Sequence, residues 1–393
     1  MTNEPRNAQS RLLVIVPDRL SDLAAKGEIT ERYYNPGDVF DEVHLLMVND
    51  DSPDPDTLQV TVGRARLVLH NLPLPERMLK RTAGYRPRLL RRWAEPGVQL
   101  ARRIEPHLVR CHGAWLNAFV AYEIRRILGI PYAVSLHINP DVDVRGRAIG
   151  VRARLDAHAI RTVEQLALRN AALVLPVYQP IVPYLERLGI ERYEVVYNML
   201  NPSQLRAKSD YTLHRPVRVL SVGRQIPEKN PDRLIAAIAA LPGIELVVVG
   251  DGPAHHHLRR TAELEGVGER VQFQRAIPNA ELCRSLPEFD VFATHTEYWE
   301  LSKSLLEPLI TGLPVIVNRR RGAPVPELTP DICRLVENSV EGYRAALVEL
   351  VEDSATRERL GRAARARSLE LWAPDRSEAR LAHAHRSLAF SSP

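Results

Sequence analysis

The 393-residue chain carries 53 basic and 48 acidic residues, is 45% hydrophobic and holds only three cysteines. That length leads us to expect two or three domains of ordinary size, and the composition excludes disordered, collagen-like and disulfide-scaffold classes. No apolar run approaches the ~20 residues of a membrane-spanning helix. The polar opening MTNEPRNAQSR lacks the apolar stretch of a signal peptide, and Cys111, Cys283 and Cys333 fit no metal spacing. A reduced, cytoplasmic chain is expected.

In chain order, short apolar runs at 12–16 and 43–48 read as buried strands. Residues 77–103 then concentrate nine basic residues (Arg77, Lys80, Arg81, Arg86, Arg88, Arg91, Arg92, Arg102, Arg103) against one acidic, Glu95. The charges alternate with Met78, Leu79, Leu89, Leu90, Trp93 and Leu100, while Pro87 and Pro96 predict two or three short helices rather than one. Basic amphipathic pieces with a tryptophan suit an anionic membrane surface; an acidic acceptor or a solvated face are the alternatives. So local a cluster argues against nucleic acid as partner. Further strands are predicted at 107–111, 132–136 and 173–177, with helical spacing over 118–128 and 157–169. The aperiodic stretch 198–216 reads as an interdomain linker.

The second half restarts the alternation: a strand at 217–222, a helix at 231–241, strands at 244–249, 271–273, 290–294 and 314–317, and only helix after 340. Alternating short strands and amphipathic helices predict two doubly wound parallel-sheet domains, with ligand held in a cleft at the strands' carboxyl ends.

Three segments carry chemistry. In VRVLSVGRQIPEKNP, Gly223 ends a strand and Arg224 and Lys229 follow; two cations there suit a diphosphate, Arg as a fork and Lys as a point charge. VVVGDGP places Gly250 and Gly252 around Asp251, a tight turn that admits a close ligand but lacks the six-residue dinucleotide fingerprint. In THTEYWELSKSLLEPLITGLPVIVN, a loop with Glu297, Glu300 and Lys303 leads into a short helix, 302–311, that carries Glu307 and stops at Gly312. Its N-terminus offers N–H groups to phosphate and Glu307 can take paired hydroxyls, while Pro308 should kink or shorten it. His112-Gly113 and His137 each end a predicted strand of the first half. Adjacent His255, His256 and His257 share no helix face and read as a solvated helix start rather than a metal site. Asp54, Asp56, Asp141 and Asp143 read as acidic loops.

Gly223-Arg224 with Lys229, Gly250-Asp251-Gly252-Pro253, Ser304-Leu305-Leu306-Glu307 and Gly312-Leu313-Pro314 resemble, in order and spacing, glycosyltransferase family 4. These are retaining, nucleotide-sugar-dependent enzymes of the GT-B fold. The resemblance is specific over 217–317 and looser before it. It implies an α/β GT-B chain of two Rossmann-like doubly wound domains facing a cleft. Residues 1–205 would bind the acceptor and 216–370 the nucleotide-sugar, with 371–393 a helix packing back on the first domain. It further implies donor-binding roles for Gly223, Arg224, Lys229, Gly250, Lys303, Ser304, Leu305 and Glu307, the last on the ribose. His137 would lie near the transferred sugar, and Gly27 and His112 on the acceptor side. The family's first glutamate falls on Trp299 here; Glu300 takes its place if the loop is one residue shorter, Glu297 if the loop bulges, and Glu300 is preferred. His137, Arg224, Lys229 and Glu300 form the expected catalytic set.

The implied activity needs no metal or cofactor. It moves a hexosyl group from a UDP- or GDP-sugar to a saccharide or lipid-linked acceptor, in bacterial cell-envelope or exopolysaccharide synthesis, at the inner face of the membrane. A sugar-nucleotide epimerase of the same fold and a non-catalytic nucleotide-sugar-binding scaffold are the rival readings.

Overall fold

The computed structural model describes residues 9–75, 85–140, 151–297, 301–320 and 323–390. The chain divides into two compact units, Met1–Met199 with Asp375–Pro393, and Leu200–Pro374.

The first unit holds six parallel strands, β1 (Arg11–Val16), β2 (Glu42–Met47), β3 (Arg66–Asn71), β4 (Leu108–His112), β5 (Tyr132–Leu136) and β6 (Leu173–Pro176), in the order β3-β2-β1-β4-β5-β6. The second holds β7 (Val217–Val222), β8 (Ile244–Val249), β9 (Val271–Gln274), β10 (Val291–Thr294), β11 (Val315–Asn318) and β12 (Arg334–Val336), ordered β12-β11-β10-β7-β8-β9. Both are Rossmann-like sheets whose order reverses beside the first strand, and ligands bind at that switch point, beyond the carboxyl ends of the two strands flanking it. The relevant pairs are β1 with β4 and β7 with β10. Strands β1, β2, β4 and β5 are buried along nearly their whole length, which is why they read as mainly apolar runs, with Glu42, His44, Arg110, His112 and Ser135 as buried polar exceptions.

The two strands missing from the expectation, β3 and β12, are both sheet edges. Neither is closed in on both faces: β3 has no fully buried residue and β12 has one, so polar side chains such as Arg66, His70 and Arg334 break the apolar signal.

Three further expectations are corrected. The basic segment forms one 18-residue helix, Pro87–Ile104, across its described part, rather than several pieces. Pro87 stands in the first turn, where a missing N–H costs nothing, and Pro96 lies on the exposed side beside Arg92 and Glu95. The Arg92 carbonyl that loses its partner is therefore on the solvent side. Leu90, Trp93, Val98 and Leu100 are buried, and Trp93 Nε1 donates to the Pro73 carbonyl. Gly97 is packed so closely that an added Cβ would lie 2.6 Å from Val120 of the Leu116–Leu128 helix.

The stretch read as a linker is, from Leu200 onward, part of the second unit. Lys208 Nζ donates to the Pro287 and Phe289 carbonyls at 2.9 and 2.8 Å, and the Tyr211 hydroxyl donates to the Gly312 carbonyl. Pro308 does not shorten its helix, which runs Lys303–Thr311 and ends at Gly312 in the left-handed conformation, φ 91°. Burial from Leu305 to Thr311 holds it in place despite the proline. The final helix, Pro374–Phe390, sets Leu381 and Ala384 against Ala133 and Leu175 of the first sheet.

Candidate active site

In the second unit, the turn after β7 carries Gly223, exposed Arg224, buried Gln225 and, closing a 3-10 turn, half-buried Lys229. Gly223 N–H donates to Val249 O and Gln225 N–H to Asp251 O, so this turn lies directly on the one after β8. The fit is tightest at the two glycines of that second turn. A Cβ on Gly250 (φ 137°) would stand 1.9 Å from the Gly223 carbonyl oxygen, and one on Gly252 (φ 152°) 2.4 Å from that of Gln225. The close approach these glycines permit is thus made by the chain's own backbone. Gln225, which no motif singled out, locks the junction: its Nε2 donates to the Gly250 carbonyl at 2.6 Å and its Oε1 accepts from His255 Nδ1 at 2.7 Å. His255 is therefore buried and structural, while His256 and His257 are exposed; the expected solvated start holds for two of the three. Burial, and then Arg275, hold the His255 imidazole below its usual pKa, so it is a neutral donor.

Across the switch point, the loop after β10 is tied to the Lys229 turn by Glu297 N–H donating to the Glu228 carbonyl at 2.8 Å. Asn318, ending β11, exchanges two hydrogen bonds with the Thr296 backbone, 2.8 and 3.0 Å. Glu300 lies outside the described residues; Glu297 lies within them, at this junction. Beyond the loop, Ser302 precedes the Lys303–Thr311 helix without a side-chain capping bond, its hydroxyl pairing instead with Ser304 at 2.9 Å. Leu305 is core. Glu307 is only 3% exposed, and Asn279 Nδ2 sits 3.1 and 3.4 Å from its two carboxylate oxygens. A carboxylate buried this deeply needs such donors.

In the first unit, His112 ends β4 and His137 follows β5. Their rings stack at 5.5 Å and 14°, Tyr33 and Tyr34 pack on His112, and His137 Nδ1 donates to Asn198 Oδ1 at 3.2 Å. Below them Arg110, also buried, donates to Ser135 Oγ and the Tyr33 carbonyl. Burial, then Arg110 and His137, drive His112 well below the usual imidazole pKa, so its ring is neutral. Above Gly113 (φ 85°) the space is open. Gly27, by contrast, closes the Leu20–Ala25 helix, eleven residues past β1, and is no part of the strand-end turn. Asp54 is an ordinary helix cap, accepting from Asp56 and Thr57 N–H; Asp141 and Asp143 fall outside the described residues. Among the described residues no three His, Cys, Asp or Glu side chains gather as a metal site.

The family model for glycosyl transferases group 1 matches residues 207–367, and that for the glycosyl transferase 4-like domain matches residues 38–199. The chain belongs to the group 1 glycosyltransferases. This group 1 chain is 33% identical over 156 residues to the lipopolysaccharide core biosynthesis glycosyltransferase LpsE of Rhizobium meliloti, covering 39% of the chain and 45% of that protein. It is likewise 33% identical over 193 residues to the GDP-mannose-dependent alpha-(1-6)-phosphatidylinositol monomannoside mannosyltransferase of Mycolicibacterium smegmatis, covering 46% and 50%. The matches span about half the length of these relatives. Among solved structures it is similar to Anabaena HepE in complex with UDP and glucose, with a TM-score of 0.73 at 16% identity over 96% of this chain and 99% of that one. The group 1 chain thus has the GT-B fold of two Rossmann-like domains.

Proposed function

We propose that this chain is a retaining, metal-independent glycosyltransferase that moves a hexosyl group from a nucleoside-diphosphate donor to a saccharide or lipid-linked acceptor of the cell envelope. The observation that carries the reading is the pairing, at the β7/β10 switch point, of the Arg224–Lys229 turn with the loop leading to buried Glu307. Arg224 and Lys229 would grip the diphosphate and stabilise the negative charge that grows on it as the sugar leaves, an electrostatic contribution of the kind that often dominates catalysis. Glu307 would accept the ribose hydroxyls, with Gly223, Gly250, Lys303, Ser304 and Leu305 shaping the donor site. Glu300 remains our candidate for the family's first glutamate. In the first unit, His137, held by Asn198 and stacked on His112, would meet the transferred sugar and its acceptor.

The relatives' names support an envelope glycoconjugate as product and both guanine and uracil as candidate bases. We place the activity at the inner face of the cell membrane. The exposed arginines of the Pro87–Ile104 helix would touch anionic lipid by charge alone, because Trp93 and the helix's apolar stripe are already buried in the protein. Incubation with a panel of UDP- and GDP-sugars, with and without lipid-linked acceptors, tests the reading. Nucleotide release coupled to a new glycosidic product with the donor's anomeric configuration is expected. An isomerised but intact donor would make the chain an epimerase, and binding without turnover a scaffold.

A further inference from the structure

We propose that Asn279 is a positioning residue for Glu307, reaching it from a helix that none of the sequence motifs includes. The inference rests on the reading of the second unit as the donor domain. Asn279 opens the Asn279–Ser285 helix after β9, and its Nδ2 spans both oxygens of the Glu307 carboxylate at 3.1 and 3.4 Å. One turn on, the Cys283 thiol, only 1% exposed, donates to Asn279 Oδ1 at 3.9 Å. Asn279 and Cys283 thus sit together on the Glu307 carboxylate, Asn279 through its amide N–H groups and Cys283 both through the Asn279 oxygen and directly.

Each member fixes the next. A carboxylate only accepts, so the Asn279 NH2 group and not its oxygen faces Glu307, which leaves the oxygen toward the thiol; the thiol also hydrogen-bonds the carboxylate itself. Burial, and then the Glu307 carboxylate, push the thiol pKa up, so Cys283 stays protonated and remains a donor. Lys303, on the same helix as Glu307, and Arg284, on the same helix as Asn279, act on the thiol in the opposite sense. A carboxylate has about four lone-pair sites. The amide, bonded to both oxygens, holds the carboxylate in one orientation, the one in which it would meet a pair of adjacent hydroxyls.

The test compares the full-length wild type with Asn279→Ala and Asn279→Asp, measuring calorimetric binding of UDP, GDP and their 2′-deoxy forms between pH 5.5 and 8.5. In Asn279→Ala, affinity for the ribonucleotide should fall about tenfold while that for the 2′-deoxy form holds, so the ribose preference collapses. In near-isosteric Asn279→Asp, two carboxyl groups about 3 Å apart must share a proton. Its ribonucleotide affinity should approach the wild type's at low pH and fall as pH rises, against a flatter wild-type profile. A purely structural asparagine would lower the melting temperature and leave both signatures absent. A wild type that prefers ribose, with the same preference and pH profile in both variants, overturns this inference alone. A wild type that binds neither nucleotide overturns the donor-site reading and this inference with it.

Discussion

The two glycines that end β7 and β8 look alike in sequence, yet the structure assigns them opposite tolerances. Gly250→Ala places a methyl group 1.9 Å from the Gly223 carbonyl oxygen, a backbone atom that cannot swing aside, at a φ of 137° that side chains rarely adopt. The backbone strain costs about 1–3 kcal/mol, and the overlap adds about 1–3 kcal/mol. A total near 4 kcal/mol would lower the melting temperature of a unit of this size by roughly 8–16 °C, at 2–4 °C per kcal/mol. Gly223→Ala meets nothing closer than Lys229 Cδ at 3.9 Å and has no positive φ, so its melting temperature should stay within about 2 °C of wild type. The same Cβ would stand beside the Lys229 side chain, where the diphosphate is proposed to sit, so nucleotide affinity should drop in the variant that keeps its stability. Scanning calorimetry with nucleotide titration reads both. A Gly250→Ala protein melting with wild type would refute the reasoning, because it would mean the two turns are not in backbone contact.

Lys229→Ala and Glu307→Gln should each reduce transfer by about a hundredfold or more while far-ultraviolet circular dichroism is unchanged; near-wild-type turnover in both would remove the donor-site assignment. In the first unit, His44 Nε2 donates to Glu42 at 2.6 Å, and His44 Nδ1 accepts from His70 Nε2 at 2.9 Å. Burial, then His44 and Arg103, lower His70 to about 4, and burial lowers His44 despite Glu42, with Arg66 and Arg11 adding to the effect. Because the unfolded chain binds more protons below about 6.5, this stability is complete above that pH and is lost as pH falls toward 4. Urea melts should show about 1–2 kcal/mol lost between pH 7.5 and 5 in wild type and a flatter profile in His70→Phe; equal slopes would contradict the shift. Neutralising Arg88, Arg92 and Arg102 to Gln should weaken binding to anionic vesicles by about a hundredfold, at about 1 kcal/mol per removed charge. Equal binding of the wild type to neutral vesicles would exclude a charge-driven contact.

Much of the fold was legible because parallel strands closed in on both faces are mainly apolar. β1, β5, β7 and β8 stand within a residue of where their runs predict them. Of the edge strands, β6 and β9 were still read from their apolar residues, whereas β3 and β12, interrupted by Arg66, His70 and Arg334, were invisible. The proline rule misread Pro96 because it takes no account of which side of the helix faces water, and the linker reading of 198–216 fails from Leu200 onward because Lys208 and Tyr211 are anchored by carbonyls about 80 and 100 residues away.

The sequence by itself determined the class of this protein: two Rossmann-like halves and the group 1 motifs in which Arg224, Lys229 and Glu307 stand. Short motifs survive in one dimension because each belongs to a single strand-end turn or helix. The tertiary structure alone decided what supports them. Gln225 with His255, Asn279 and Cys283 with Glu307, and Asn198 with His137 are polar pairings between separate elements. No local spacing encodes them, because a buried polar group is satisfied by whichever neighbour the fold brings within hydrogen-bonding distance.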